Sequence, residues 1–370
     1  MTSPSADAPG TRRADEAPGP TGAGNRARKK FGLVLQGCAS LGAYEVGAID
    51  YLYESGMECA IVAGASSGAL NAVTLAGAKG SAPKVLNELW GRFAADPPVP
   101  FVPNLVGQYW SMFGVPHFYT PRMDYWNLPS WTYFTDNTPL RKTLEDLLDW
   151  DQVRDSGHMR LFVSASGVEN SETAYFHNLY PDKPIGAEYP DMPFEVDHVL
   201  ASGSFPVGFP WTLVRHRAYW DGGLTDNTPL KPVIDNLRDD EPDTMPIIMI
   251  DPFSSTSPQP ANLRDVMQRM FEILLRNNLK SDSETAQRYT RFINVLRQAE
   301  KELPPDASVR DLDAWKEVMN YVLVKQIRMI DINKPAGENA MDFSHETILR
   351  RISAGYDQTR AALEKEPLTP

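Results

Sequence analysis

Short apolar runs alternate with amphipathic segments of helical period from residue 31 onward. Phe31–Leu35 and Cys59–Ala63 are apolar runs with the length of buried strands. Ala43–Ser55 lies between them and repeats apolar residues at helical spacing, with Gly56 as a stop signal. Small residues after Ser67 predict a second helix. Strand, helix, strand and helix in this order predict a right-handed crossover unit of a parallel sheet.

The pattern continues through the rest of the chain. Further helices are predicted at Ala82–Ala94, Thr138–Leu148, Asn262–Arg276, Ser283–Glu302 and Ser308–Leu323, and after Ser344, with Ser344 as N-cap. Further strands are predicted at Arg160–Ser166, Thr173–His177, Pro246–Ile250 and Val324–Ile332. An α/β protein with a mainly helical last third is therefore expected.

Composition narrows the class of protein. The 370 residues carry a net charge of −12, whereas residues 1–30 carry six basic and three acidic side chains. The body is thus acidic, which argues against nucleic acid as a partner. The segment 1–30 is poor in large apolar residues and is predicted to be disordered; its basic residues would suit either a solvated leader or contact with an anionic membrane.

Targeting and redox signals are few. No run of apolar residues reaches the length of a membrane span, and the N-terminus lacks the apolar core of a secretory signal. Cys38 and Cys59 are the only cysteines, which fits a reducing, cytoplasmic setting. No spacing of ligands predicts a metal site.

Gly64-Ala65-Ser66-Ser67-Gly68 stands between the second predicted strand and its helix. Gly-x-Ser-x-Gly in a strand–turn–helix context is typical of a nucleophile elbow. Gly64 and Gly68 leave room for the tight turn, which would lift the Ser66 hydroxyl clear of the sheet edge. Ser66 is therefore the candidate nucleophile.

A serine hydroxyl needs a base at neutral pH. An α/β-hydrolase triad would use a histidine late in the chain, and His345 is the only one beyond residue 216. Asp221 is the better candidate, because its aromatic neighbours would desolvate the carboxylate and raise its pKa. A plain hairpin turn at Asp221-Gly222-Gly223 explains the same residues equally well.

Several ordered blocks resemble the signature motifs of the patatin-like phospholipases. They are Leu33–Gly37, Leu41–Tyr44, Gly64–Gly68, Leu200–Pro206, Trp220–Gly223 and Asn227–Leu230. The resemblance implies a three-layer α/β/α fold with a mostly parallel sheet over residues 31–250. Residues 251–370 would then be a mainly helical C-terminal extension packed on this core.

The resemblance also implies a function: hydrolysis of acyl ester bonds in lipids by a Ser–Asp dyad, without cofactor or histidine. Ser66 would form an acyl-enzyme, and Asp221 would act as general base. Backbone N–H groups of Gly37, Cys38 and Ala39 would form the oxyanion hole. The expected partner is a lipid or acyl-ester substrate, with peripheral membrane contact as an option; the oligomeric state is left open.

The loop after the first strand departs from the family pattern, because Cys38 and Ala39 stand at glycine positions. Their Cβ atoms disfavour positive φ and crowd the approach of substrate. Loss of one oxyanion donor costs about 10²–10³ in turnover, so a weak or inactive lipid-binding protein is the alternative. Cys38 is expected to be a packed thiol rather than a reactive one.

Phe101–Phe134 contains eleven aromatic residues among proline and glycine, without a clear period. A connection of this length is typically functional or disordered. The segment is interpreted as a lid or acyl-chain channel, or as a surface that rests at a membrane interface. Packing over the sheet is the structural alternative.

Overall fold

The structure is a computed structural model that describes residues 28–96, 110–180, 192–238, 240–253, 259–276, 279–319, 324, 326–335 and 338–368. The predicted tail, apart from its last three residues, and the first part of the aromatic segment lie outside the described residues. The strands are β1 Lys29–Leu35, β2 Met57–Gly64, β3 Thr120–Pro121, β4 Thr135–Asp136, β5 Arg160–Gly167, β6 Thr173–His177, β7 Thr212–Val214, β8 Arg217–Asp221, β9 Ile247–Asp251 and β10 Ile327–Asp331.

The helices within these ranges follow in chain order. They are α1 Gly42–Glu54, α2 Ser67–Ala76, α3 Ala82–Arg92, α4 Thr138–Leu147, α5 Trp150–Arg154, α6 Val196–Ser202, α7 Leu230–Ile234, α8 Glu241–Thr244, α9 Leu263–Arg276, α10 Leu279–Glu302, α11 Asp313–Met319 and α12 His345–Lys365. None of these described helices is long and apolar enough to cross a membrane.

Eight strands form the central sheet in the order β10-β9-β1-β2-β5-β8-β7, with β6 also paired to β5. The strands from β10 to β5 run parallel, as the crossover pattern predicts. β6, β7 and β8 join antiparallel. The sheet is thus mixed but mostly parallel.

Alternate residues of the central strands enter two separate cores. Leu33, Leu35 and Val62 pack into the larger core, on the side of α1, α2 and α12. Val34 and Ala63 point to the opposite face, where α7 contributes to the smaller core. Successive side chains of a strand face opposite ways, so a sheet buried on both faces needs continuous apolar strands. The three-layer α/β/α fold is confirmed.

The sequence prediction differs from the structure at several elements. Ser308–Leu323 was expected to be one helix, but a 3-10 turn at Ser308–Asp311 precedes α11, and Leu312 between them is extended. Arg310 holds that turn against the end of α10 by donating to the carbonyls of Glu300 and Leu303. β3, β4 and β7 were not predicted, because strands of two or three residues are too brief to show a period. β8 was not predicted either, since the Asp-Gly-Gly sequence at its end was interpreted as a turn.

Ser344 is the N-cap residue of α12 as predicted, although its side chain makes no capping hydrogen bond. Asp342 organises the helix start instead, because Oδ1 accepts the Ser344 N–H at 2.9 Å. Its Oδ2 accepts the Thr347 hydroxyl at 2.8 Å. Asp342 thus fixes the residues that enter the helix, whereas the first helical N–H, that of His345, donates to Asp96 Oδ1 at 2.9 Å.

The C-terminal part of the chain is joined to the core in two ways. β10 pairs in register with β9 and extends the central sheet. α12 lies against α1 so closely that a Cβ on Gly47 would come within 1.8 Å of the Ile352 carbonyl oxygen. Such contact needs glycine and places α12 beside the loop between β1 and α1.

Candidate active site

Ser66 occupies the turn between β2 and α2 with φ 51° and ψ −120°, a conformation rare for a residue with a side chain. The turn is tight, since a Cβ on Gly64 would lie 2.3 Å from the Gly68 carbonyl oxygen. The Ser66 N–H donates to the Ser202 hydroxyl at 3.0 Å. Ser66 is half-buried, whereas its neighbours Ala65 and Ser67 are buried. Strain of this kind persists where surrounding contacts enforce it, and it typically marks functional sites.

The register of β5 explains how Asp221 reaches Ser66. β6 occupies one edge of β5 over Phe162–Ser166, so β2 and β8 share the other edge. β2 ends where Gly64 pairs with Val163, and β8 ends where Asp221 pairs with Ala165. Because β2 is parallel and β8 antiparallel to β5, their C-terminal ends face each other across two residues, roughly 7 Å of strand.

Asp221 is 1% exposed, and burial raises its pKa to about 7, above the usual 3.8. The hydrogen bond from the Gly223 N–H and the proximity of the Ser66 side chain act in the opposite sense. Asp221 Oδ1 accepts the Gly223 N–H at 2.7 Å, which fixes the carboxylate at the start of a 3-10 turn, Gly222–Leu224. Asp221 therefore ends a strand and does not lie in a hairpin turn.

The second oxygen of this carboxylate is available. Asp221 Oδ2 is buried and has no hydrogen-bond partner of ordinary geometry among the described residues. The Ser66 side chain nevertheless lies close enough to lower the Asp221 pKa. The two groups are thus adjacent, at a geometry looser than that of a formed hydrogen bond. Contacts of a resting site are often long in this way and tighten when substrate is bound.

The three loop residues predicted to form the oxyanion hole differ in their N–H groups. Gly37 donates to Asn227 Oδ1 at 3.0 Å, and Cys38 donates to the Ser67 hydroxyl at 3.0 Å. Ala39 has φ 52° and is half-buried, and no partner for its N–H lies within the described part of the chain. Two of the three predicted donors are therefore engaged by the protein itself, and Ala39 is the free one.

Asn227 connects this loop to the turn that carries Asp221. Besides accepting from Gly37, it donates to the Gly37 carbonyl at 3.0 Å and to the Leu275 carbonyl at 2.9 Å. Its Oδ1 lies where Cβ atoms on Gly37 and Gly223 would come within 2.5 and 2.7 Å. One amide thus fixes the spacing between the loop and the Asp-Gly-Gly turn.

His345, the alternative partner considered for Ser66, lies elsewhere, and so does the buried His198. His345 begins α12, where its N–H donates to Asp96 at 2.9 Å. His198 is buried beside Phe176 and Phe194, and burial lowers its pKa to about 4. No histidine is a hydrogen-bond partner of Ser66 or Asp221 among the described residues. Within the same residues, no group of three His, Cys or carboxylate side chains is placed to hold a metal ion.

Cys38 is buried, with Sγ 3.5 Å from the Ser67 hydroxyl oxygen. Burial, and secondarily the Glu45 carboxylate, raise the pKa of its thiol. A protonated buried thiol is a poor nucleophile, so the packed interpretation agrees with the structure.

Sequence reasoning named no role for Ser202, Ser67 or Asn227. Ser202 and Asn227 lie inside blocks that carry the family resemblance, so their positions were marked although their contacts were not. Ser67 likewise lies inside the block Gly64–Gly68, next to the nucleophile. These contacts depend on long-range packing and become visible only in the folded chain.

The site thus combines a strained serine after a parallel strand with a buried carboxylate at the end of β8, within a three-layer α/β/α fold. The family model of the patatin-like phospholipases matches residues 33–234, more than half of the chain. The chain belongs to the patatin-like phospholipase family. Membership implies a hydrolase of ester bonds that acts on lipids.

Solved structures give one further similarity. The crystal structure of VipD from Legionella pneumophila is 16% identical and has a TM-score of 0.38, over 92% of this chain and 67% of that one. No curated protein matches the chain.

Proposed function

We propose that the protein hydrolyses acyl ester bonds of lipids through a Ser66–Asp221 dyad. In the first half-reaction the Ser66 hydroxyl attacks the acyl carbonyl carbon, and its proton passes to Asp221 Oδ2. The carbonyl oxygen becomes an oxyanion, for which the free Ala39 N–H is the donor at hand. Collapse of this intermediate breaks the ester bond, and the proton on Asp221 goes to the leaving alcohol.

The second half-reaction uses the same groups on water. Asp221 accepts a proton from the water that attacks the acyl-serine, and then returns that proton to Ser66. The carboxylic acid leaves, and the resting enzyme is restored. One carboxylate serves both steps because its pKa near 7 lets it gain and lose a proton near neutral pH.

The observation that carries the proposal is the free oxygen of Asp221. A buried carboxylate normally has partners for both oxygens, because an unpaired polar group costs about 1–3 kcal/mol. Even the half-buried Asp226, five residues further, has partners for both oxygens: Tyr175 donates to Oδ2 at 2.6 Å and the Thr228 N–H to Oδ1 at 3.0 Å. Asp221 instead leaves Oδ2 unpaired, and the strained Ser66 is close enough to this carboxylate to lower its pKa, as a general base requires.

The proposal is tested with a fluorophosphonate probe and a p-nitrophenyl ester. We expect the probe to label Ser66 and the label to disappear in Ser66→Ala. Asp221→Asn should lower turnover by at least about 10²-fold, the usual range for loss of general-base assistance. The labelling rate should rise with pH to a plateau with a midpoint near 7, because only the ionised carboxylate accepts a proton.

Asp226→Asn is the control, since it removes a nearby half-buried carboxylate whose two oxygens already have hydrogen-bond partners. It should keep most of the labelling rate. Equal losses in the two Asn variants, or labelling at a residue other than Ser66, would contradict the dyad.

A second candidate function is a catalytically weak lipid-binding protein. The observation in its favour is that the Gly37 and Cys38 N–H groups already have partners. Absence of labelling in the folded wild type would support this alternative. A large gain in turnover on replacing Cys38 and Ala39 by glycine would then show that the loop limits catalysis.

Contact with a lipid surface is part of the proposal. The described part of the aromatic segment exposes Phe113, Trp126 and Phe134, with Trp126 85% exposed. The Phe134 N–H donates to the Val207 carbonyl at 2.9 Å, and Val207 is also exposed. Aromatic and aliphatic side chains displayed together suit a membrane interface. A cytoplasmic protein that binds membranes peripherally is the location that we propose.

A further inference from the structure

The conformation of Ala39 has to be enforced from outside the loop. Its φ of 52° lies in the left-handed region, which costs a residue with a Cβ roughly 1–3 kcal/mol. The loop's own contacts fix Gly37 and Cys38 but not the Ala39 N–H. Contacts of the following residue can therefore determine how that N–H is oriented.

The next residue, Ser40, is held by the C-terminal extension. The Ser40 N–H donates to the Ala340 carbonyl at 3.0 Å, and its hydroxyl donates to the same oxygen at 2.6 Å. Arg351 Nη1 donates to the Ser40 hydroxyl oxygen at 2.5 Å. Ser40 is fully buried, so no water competes for these groups.

Arg351 is the centre of this contact. It is 0% exposed, and besides Ser40 it donates to the carbonyls of Asp342 at 3.0 Å and Asn339 at 2.8 Å. Its Nε donates to Glu338 Oε1 at 3.2 Å, which balances the buried charge. A planar guanidinium with this many fixed partners holds the segment 338–342 and Ser40 in one arrangement.

The extension is anchored on the core on both sides of Arg351. Glu338 accepts the Tyr44 hydroxyl of α1 at 2.7 Å. Further along α12, a Cβ on Gly355 would lie 2.1 Å from the Tyr44 carbonyl oxygen, which shows how closely the two helices approach. Arg351 is thus presented to the loop by a rigid helix pair.

We propose that Arg351 is a positioning residue of the active site: through Ser40 it holds Ala39 in the strained conformation that presents its N–H to the oxyanion. The inference rests on the proposed function. It assigns a catalytic duty to a residue outside 33–234, the part of the chain that the family model matches. The C-terminal extension is then a working part of the catalytic unit.

The test compares Arg351→Met with Arg350→Met. Arg350 lies on the same helix and pairs with the same Glu338 oxygen at 2.5 Å, but it is half exposed and does not contact Ser40. We expect Arg351→Met to lower kcat per titrated Ser66 by about 10–100-fold, with KM within about twofold, because an oxyanion donor is misplaced. Arg350→Met should stay within about twofold of wild type.

A double-mutant comparison distinguishes the positioning of Ala39 by Arg351 from a general contribution of Arg351 to the stability of the fold. Glycine adopts positive φ without strain, so in an Ala39→Gly background the loop depends less on the contact between Arg351 and Ser40. Arg351→Met should therefore cost less than about fivefold in kcat when Ala39 is glycine. The same loss in both backgrounds, or no loss in either, would overturn the proposal. If Arg351→Met does not fold, Ser40→Ala removes the same hydroxyl without touching α12.

Hydrogen exchange of the peptide that spans Gln36–Tyr44 gives an answer independent of turnover. Exchange at Ser40 should accelerate in Arg351→Met and remain at the wild-type rate in Arg350→Met. Unchanged exchange in Arg351→Met would refute the proposal that Arg351 holds this loop through Ser40. If the wild type is inactive but exchange in the loop still depends on Arg351, the proposed function is refuted and the structural role of Arg351 is retained.

Discussion

Asp221 should make the protein less stable as the pH rises, and Asp221→Asn should remove that dependence. The folded state holds the carboxyl with a pKa of about 7, against 3.8 for the free side chain. The cause is burial, which penalises the charged form. A raised pKa means that the folded state binds the proton more tightly than the unfolded chain. The free energy of unfolding therefore falls as the pH rises from about 4 to about 7, and then levels off.

The size of the effect follows from the pKa difference. One pKa unit corresponds to about 1.4 kcal/mol, so ionised Asp221 costs the folded state on the order of 4 kcal/mol at pH 8. At pH 5 the unfolded chain is already ionised while the folded carboxyl is neutral, and the cost is on the order of 2 kcal/mol. Asparagine keeps the acceptor for the Gly223 N–H, and its amide can donate to Ser66.

Urea unfolding of the wild type and of Asp221→Asn at pH 5 and pH 8 measures this difference. We expect the variant to be more stable at both values, with an advantage larger by about 2 kcal/mol at pH 8. Ser66→Ala is the companion variant: it removes a donor that lowers the Asp221 pKa, so its loss of stability with pH should be at least as large as in the wild type. An advantage of Asp221→Asn that is equal at both pH values would refute the reasoning, because the carboxyl would then titrate alike in both states.

Three further predictions concern helix packing, the loop after β1 and the surface proposed to contact lipid. Gly47→Ala should lower stability by about 1–3 kcal/mol or more in urea unfolding, because the new Cβ would meet the Ile352 carbonyl oxygen at 1.8 Å. Asn227→Ala should cost about 1–3 kcal/mol by leaving the Gly37 N–H unsatisfied, and should also slow probe labelling. Trp126→Ser should change stability by less than about 0.5 kcal/mol but lower the fraction of protein that sediments with phosphatidylcholine vesicles. An unchanged bound fraction would count against a lipid-facing role of Trp126.

The sequence predicted which residues belong to the candidate site better than it predicted how those residues contact one another. Gly64, Ser66 and Gly68 could be predicted as an elbow from the sequence, because such a turn needs small residues at a fixed local spacing. Asp221 was ambiguous, since Asp-Gly-Gly is common in turns. The family resemblance favoured it as the base, whereas the residues alone left both interpretations open.

The contacts of the loop Gly37–Ala39 could not be predicted from neighbouring residues in the sequence. The family resemblance implied that Gly37, Cys38 and Ala39 all donate to the oxyanion, with Cys38 and Ala39 at positions where the family has glycine. Folding gives the first two internal partners, Asn227 and Ser67, which are 190 and 29 positions away. The consequence for Ala39 could not be foreseen, because those partners come from other elements.

The chain's own pattern of apolar residues determined the strands, most helices and the strand–turn–helix that carries Ser66, because these depend on neighbours a few positions apart. Tertiary structure alone decided that β8 would run against β5 and end opposite β2, bringing Asp221 to the serine. It also decided that Arg351 would reach Ser40 across 311 positions. Both outcomes follow from the burial of helix and sheet faces against distant partners, and no local spacing in the sequence encodes that choice.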